Sequence, residues 1–165
     1  NMQLVYERHR DIIHTHNFAI QELLKLQCKP QHKKRFLLQQ SFRDKKDMLE
    51  AHAASIDTIL VAPAMHEGID LVGDLSRFQI ICKIPYANCF DNEQLARRVE
   101  DDRRYYVWLT ALKLVQSYGR SIRSETDYAD TYILDESIHK FIKEAKKMLP
   151  GWMLEAIEYG KKNPV

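Results

Sequence analysis

Short aliphatic and β-branched runs recur along the chain at Asp11–His16 (DIIHTH), Arg35–Gln39 (RFLLQ), Thr58–Pro63 (TILVAP), Phe78–Ile84 (FQIICKI) and Asp130–Leu134 (DTYIL). Their centres are continuously apolar rather than alternating, the pattern of strands covered on both faces. Longer stretches with helical spacing separate them. Strand, helix, strand in repetition predicts an α/β domain in three layers (α/β/α), with a mainly parallel central sheet flanked by helices.

The intervening segments carry helix signals. Asn17 is placed to cap a helix over Phe18–Leu26, with Ile20, Leu23 and Leu24 on one face. Ser41 and Asp44 have the spacing of a capping box for a helix reaching about Ala54. One long helical region is predicted from Asn92 to about Ile122. Ile138, Phe141, Ile142 and Ala145 form a further amphipathic stripe. Pro150-Gly151 interrupts the chain before a last helix at Trp152–Glu158. No internal repeat, low-complexity segment or linker divides the sequence, so one domain is expected over 11–158. Residues 1–10 and 159–165 are expected to be tails, and Asn1 ahead of Met2 suggests a piece of something longer.

Composition changes this picture little. Of 165 residues, 45% are hydrophobic and 29% charged, as in ordinary globular domains, and the net charge of +2 does not by itself indicate a nucleic-acid binder. Basic residues do cluster, at Lys25, Lys29, Lys33, Lys34 and Arg35 and again at Arg97, Arg98, Arg103 and Arg104. Either cluster is equally at home on a solvated face. No run approaches the roughly 18 apolar residues of a membrane span. The first ten residues lack the apolar core of a signal peptide. Cys28, Cys82 and Cys89 are odd in number and without metal-ligand spacing, which suits a reducing compartment, cytoplasmic or nuclear. Two of these cysteines, Cys82 and Cys89, are expected to be buried free thiols. His14 and His16, two apart at a strand end, are expected on one face but lack further ligands, so no metal site is expected. Tyr105, Tyr106 and Trp108 allow either a base-stacking platform or packing in the core or at a domain interface.

Two segments carry candidate chemistry. In a continuous helix, Gln116, Arg120 and Arg123 share one stripe within an arc of about 60°. That stripe borders an apolar arc of Trp108, Ala111, Val115 and Ile122, with Gly119 inside the arc, where a missing side chain permits close packing. Neighbouring guanidinium groups repel, so a row of them beside a buried face suits an arriving anion with several oxygens, such as a polyphosphate. Surface ion pairs account for the same spacing equally well. The second segment, Ala62–Asp74, follows an apolar strand and opens at the sheet's carboxyl edge, where α/β folds bind ligands. Gly68 permits a tight turn there, and Glu67 and Asp70 supply carboxylates.

Taken together, the segments resemble those of a known family. Met65-His-Glu-Gly-Ile-Asp-Leu71 looks like motif V of superfamily 2 helicases in the XPD/DinG branch, and Gln116-x-x-Gly119-Arg120-x-x-Arg123 looks like motif VI. Phe78–Tyr86, ending in Pro-Tyr, resembles a strand of that branch, and Asp11–Asn17 sits where motif IV belongs. Ser124–Tyr128, Asp135 and Leu149–Trp152 follow the branch downstream. The resemblance implies the second RecA-like motor domain of an ATP-dependent DNA helicase, translocating on single-stranded DNA, with 5′→3′ polarity.

In such helicases ATP and Mg2+ lie between two RecA-like domains. Carried over, Arg120 and Arg123 become arginine-finger candidates, and Gln116, Gly119, Glu67, Gly68 and Asp70 line the nucleotide side. The single-strand contacts are implied at His14, Thr15, His16, Asn17, Pro63, Met65 and His66. His66 departs from the small hydroxyl or aromatic residue common in relatives. No Gly-x-x-x-x-Gly-Lys-Ser/Thr run and no Asp-Glu-x-His box occurs in the sequence. The phosphate loop, the magnesium carboxylates and any four-cysteine iron–sulfur cluster are therefore expected in a first domain, and the fragment alone is expected to be inactive. A second reading stays open: a non-catalytic RecA-like module that binds nucleic acid or protein. A free-standing α/β enzyme is disfavoured, since no nucleophile–base pair or metal set is visible.

Overall fold

The computed structural model describes residues 10–40, 45–63, 71, 75–119, 121 and 128–160. Five short strands, β1 (Asp11–His14), β2 (Phe36–Leu38), β3 (Ile59–Ala62), β4 (Phe78–Ile81) and β5 (Asp130–Ile133), make one sheet in the order β2-β3-β1-β4-β5. Every pairing is parallel. All five predicted strands form, each a little shorter than its apolar run. β1 ends at His14 because His16 takes a left-handed conformation, φ 70°, which turns the chain out of the sheet. His14 is buried and His16 exposed, so the two imidazoles do not share a strand face as predicted.

Side chains leave each strand alternately, and the layers follow from that. Ile12, Leu60 and Ala62 pack with Met48 of α3 (Lys45–Ala54). Ile13, Ile59 and Val61 point the other way, toward Leu24 of α1 (Phe18–Gln27). A third cluster joins Ile81 and Ile84 to α5 (Arg103–Tyr118), α6 (Ile138–Ala145) and α7 (Gly151–Glu155) through Ala111, Leu114, Phe141 and Met153. Helices thus cover both faces, giving the expected three layers.

Local chemistry explains the departures. Asn17 caps α1 as predicted, its Oδ1 accepting from the Ile20 N–H at 2.8 Å. The buried position on α1 is Gln21, whose amide donates to the Gln39 carbonyl at 2.7 Å, while Leu23 stays 52% exposed. A one-turn helix α2 (Pro30–Lys33), absent from the expectation, starts on Pro30, whose fixed φ suits a first turn. The predicted long helix is two helices, α4 (Glu93–Asp101) and α5. Asp102 lies between them with extended φ, closing α4 and capping α5 by accepting from Arg104 N–H at 2.9 Å. The last helix occupies Gly151–Glu155 rather than Trp152–Glu158. The capping box proposed at Ser41 and Asp44 lies outside the described residues.

Candidate functional site, a basic cleft at the strand ends

Strand order decides where a ligand can sit. The chain leaves β1 toward β2 and leaves β4 toward β5, in opposite directions. Between the carboxyl ends of two such strands a crevice opens. A cleft of about 560 Å3 lies there, lined among others by His14, His16, Asn17, Pro63, Lys83 and Lys113. Its floor is fixed by ladder bonds that outlast the strands: Thr15 N–H to the Ala62 carbonyl at 3.0 Å, and Cys82 N–H to the His14 carbonyl at 2.9 Å.

Among the described residues, the charged groups on the cleft wall are both positive. Lys83 reaches in from the end of β4 and Lys113 from α5, and the first turn of α1 contributes its amide-rich N-terminus with no acidic side chain. The imidazole of His16 responds to this field. Though exposed overall, the ring loses part of its solvent against the cleft; that desolvation, then the charge of Lys113, lowers its pKa from 6.5, Asp135 opposes them, and Lys83 adds a smaller push downward. His16 is therefore neutral at pH 7. Asp135 sits behind Lys83 at 3.8 Å and accepts from the Ile84 N–H and from Ser137. Burial alone pushes its carboxyl up, but the bonds from the Ser137 hydroxyl and the two backbone amides, with Lys83, outweigh it and hold the group below 3.8. Asp135 thus orders the loop after β4 and trims the charge of Lys83.

The predicted site residues divide into three groups. His14, His16, Asn17 and Pro63 come together on the cleft wall; Thr15 is wholly buried beneath it. Gln116 is exposed near the end of α5, and Gly119 is the cap of that helix, its N–H bonded to the Val115 carbonyl at 2.9 Å. The helix therefore stops before Arg120, which removes the basis for one helical stripe from Gln116 to Arg123. The close contact foreseen at Gly119 is with backbone, since a Cβ there would meet the Val115 carbonyl oxygen at 3.3 Å. Met65, His66, Glu67, Gly68, Asp70, Arg120 and Arg123 lie outside the described residues.

Trp108 does not belong to the buried arc. It is 46% exposed and leans on Tyr105, while Val107 packs inward in its place. Tyr106 instead reaches the cleft loop, its hydroxyl donating to the Ala87 carbonyl at 3.1 Å. Cys28, Cys82 and Cys89 are free and only partly buried; burial raises the Cys82 thiol pKa and keeps it protonated. Among the described residues no three His, Cys, Asp or Glu side chains gather closely enough to hold a metal. No helix among those residues is long and apolar enough to cross a membrane. Sequence reading missed Lys83 and Lys113. Thirty positions separate them, and only the placement of β4 beside β1 brings both to one cleft.

The model of the helicase C-terminal domain matches residues 5–156. The chain belongs to the helicase C-terminal domain family. Similar proteins include ATP-dependent DNA helicase CHL1 of Meyerozyma guilliermondii, 29% identical over 115 residues, covering 59% of this chain and 14% of that protein. The protein of that name in Candida albicans is 30% identical over 115 residues, covering 59% and 13%. Among solved structures, an apo XPD aligns with TM-score 0.66 and 18% identity, over 88% of this chain and 32% of that one. Xpd4 of S. tokodaii aligns with TM-score 0.57 and 14% identity, over 92% and 31%. These structural likenesses establish the RecA-like fold of this helicase C-terminal domain. The chain spans about one-seventh of the length of the curated relatives it matches.

Proposed function

We propose that this chain is the second motor domain of an ATP-dependent DNA helicase, coupling ATP hydrolysis to translocation on single-stranded DNA and to duplex unwinding. The observation that carries the reading is the cleft at the strand switch point, lined by Lys83, Lys113 and the N-terminus of α1. A groove of that charge suits a polyanionic backbone, since phosphate contacts need no base identity and tolerate movement along the strand. His14, His16, Asn17 and Pro63 share the groove, with Met65 and His66 next in the chain. Family membership and the names of the similar proteins support DNA as the track.

ATP and Mg2+ belong to the interface with a first RecA-like domain elsewhere in the polypeptide. On this side Gln116, Gly119, Glu67, Gly68 and Asp70 face the nucleotide, and Arg120 and Arg123 reach the γ-phosphate. Their guanidinium forks neutralise charge on the transferred phosphoryl group, an effect worth about 10³ to 10⁵ in rate. The complete polypeptide, given ATP, Mg2+ and a duplex with a 5′ single-stranded tail, displaces the annealed strand. Absence of both strand displacement and DNA-stimulated hydrolysis in that protein would leave only a binding module.

A further inference from the structure

The loop that follows β4 is tied down along its length. Tyr106 of α5 donates its hydroxyl to the Ala87 carbonyl at 3.1 Å. Asn88 then closes a turn on its own neighbours. Its Oδ1 accepts from the Phe90 N–H at 2.9 Å, and its amide nitrogen donates to Asp91 Oδ2 at 2.6 Å. Asn92 ends the turn by capping α4, its Oδ1 accepting from the Leu95 N–H at 3.0 Å. Asparagine suits both places, because its short side chain can bond backbone amides two or three residues on.

Phe90 stands on this turn, 99% exposed, the most exposed of the large hydrophobic side chains among the described residues. At that exposure the ring adds nothing to the core. A single apolar side chain in water is ordinary on a surface. Here the backbone is hydrogen-bonded at the ring's own amide and on both sides of it, so the ring is presented rather than left loose. The neighbouring aromatic of the same loop differs: Tyr86 is occupied by packing, stacked on Tyr106 at 5.7 Å between centroids and edge-on to Phe141 at 5.9 Å. Position completes the picture. Pro85, Tyr86, Ala87 and Asn88 line the basic cleft. Phe90 is two residues further on, so its Cα lies within about 7 Å of that of Asn88, at the cleft's mouth.

We propose that Phe90 is a base-stacking residue for single-stranded nucleic acid entering or leaving the cleft. The inference rests on the reading of the cleft as the strand's path. A strand whose phosphates lie against Lys83 and Lys113 leaves its bases to find cover elsewhere, and an exposed ring beside the lysines supplies it. Every base has a π-face, so stacking holds the strand without reading its sequence. Stacking also releases no counterions, which separates its signature from that of the two lysines.

Fluorescence anisotropy of the complete polypeptide without ATP tests this on two labelled strands of equal length, a mixed-sequence oligonucleotide and one made of abasic sites. Phe90→Ala is expected to weaken binding of the first strand about fivefold or more, with an unchanged slope of log affinity against log salt. Phe90→Trp is expected to restore it. The abasic strand, which offers no base to stack, is expected to bind the parent and Phe90→Ala alike. Parent-like affinity of Phe90→Ala for the mixed-sequence strand overturns the proposal, and so does an equal loss on both strands. Lys83→Ala combined with Lys113→Ala, titrated in parallel, separates the two ideas. If that pair weakens both strands while Phe90→Ala weakens neither, the stacking fails and the cleft stands. If the pair changes neither, the cleft reading fails, and the stacking site at its mouth with it.

Discussion

Replacing Lys113 and Lys83 with alanine tests the cleft in a way the structure makes quantitative. Each phosphate neutralised on a single strand contributes about 0.7 to the slope of log affinity against log salt. At about 0.1 M monovalent salt, that one contact is worth about 0.7 log units, or roughly fivefold in Kd. Lys113→Ala should therefore weaken single-strand binding about fivefold and flatten the salt slope by about 0.7. Lys83→Ala should cost more, because Asp135 lies 3.8 Å from the Lys83 ammonium and would be left uncompensated beside the cleft.

The double variant should lose more than about 25-fold, with the slope reduced by about 1.4. Lys46, ion-paired to Glu50 on α3 and absent from the cleft wall, is the control and should change neither quantity. Fluorescence anisotropy of a labelled oligonucleotide, titrated into the complete polypeptide at several salt concentrations without ATP, gives both numbers. Unchanged affinity and slope in the double variant refute the cleft as the strand's path.

Other expectations follow from the same geometry. Phe141, 1% exposed and edge-on to Tyr86 with ring centroids 5.9 Å apart, anchors the largest apolar cluster; Phe141→Ala should destabilise by about 3–5 kcal/mol in urea unfolding. Both His16 and His52 have pKa values lowered from 6.5, chiefly by desolvation, partial at the exposed His16 and complete at the buried His52. The unfolded chain therefore takes up protons first, and stability falls as pH drops through 6.5; His52→Gln should remove part of that slope in unfolding curves measured across the window. The 165-residue chain by itself, lacking a phosphate loop, should show no DNA-stimulated ATP hydrolysis in a phosphate-release assay.

The sheet was legible because buried parallel strands need continuous apolar runs, and five such runs stand out. Their ends were not, since a single left-handed residue, His16, stops β1 two positions early. The break at Asp102 carried a signal that was passed over: an aspartate with a free amide two residues on can close one helix and open the next. Trp108 and Val107 exchanged roles because both lie near the edge of the apolar face of α5, and size did not decide which is buried. The cleft was half visible. Its loop residues neighbour one another in sequence, whereas Lys83 and Lys113 meet only through strand order.

The central claim, that this domain lends arginines to ATP held by its neighbour, is tested most directly by turnover. The measurement is single-turnover ATP hydrolysis by the complete polypeptide at saturating ATP and single-stranded DNA, with Arg120→Ala, Arg123→Ala and the pair, and the DNA Kd taken on the same samples. The account predicts a fall of about 10³-fold or more in at least one single variant and in the pair, with DNA affinity retained. Parent-like hydrolysis in the pair contradicts it.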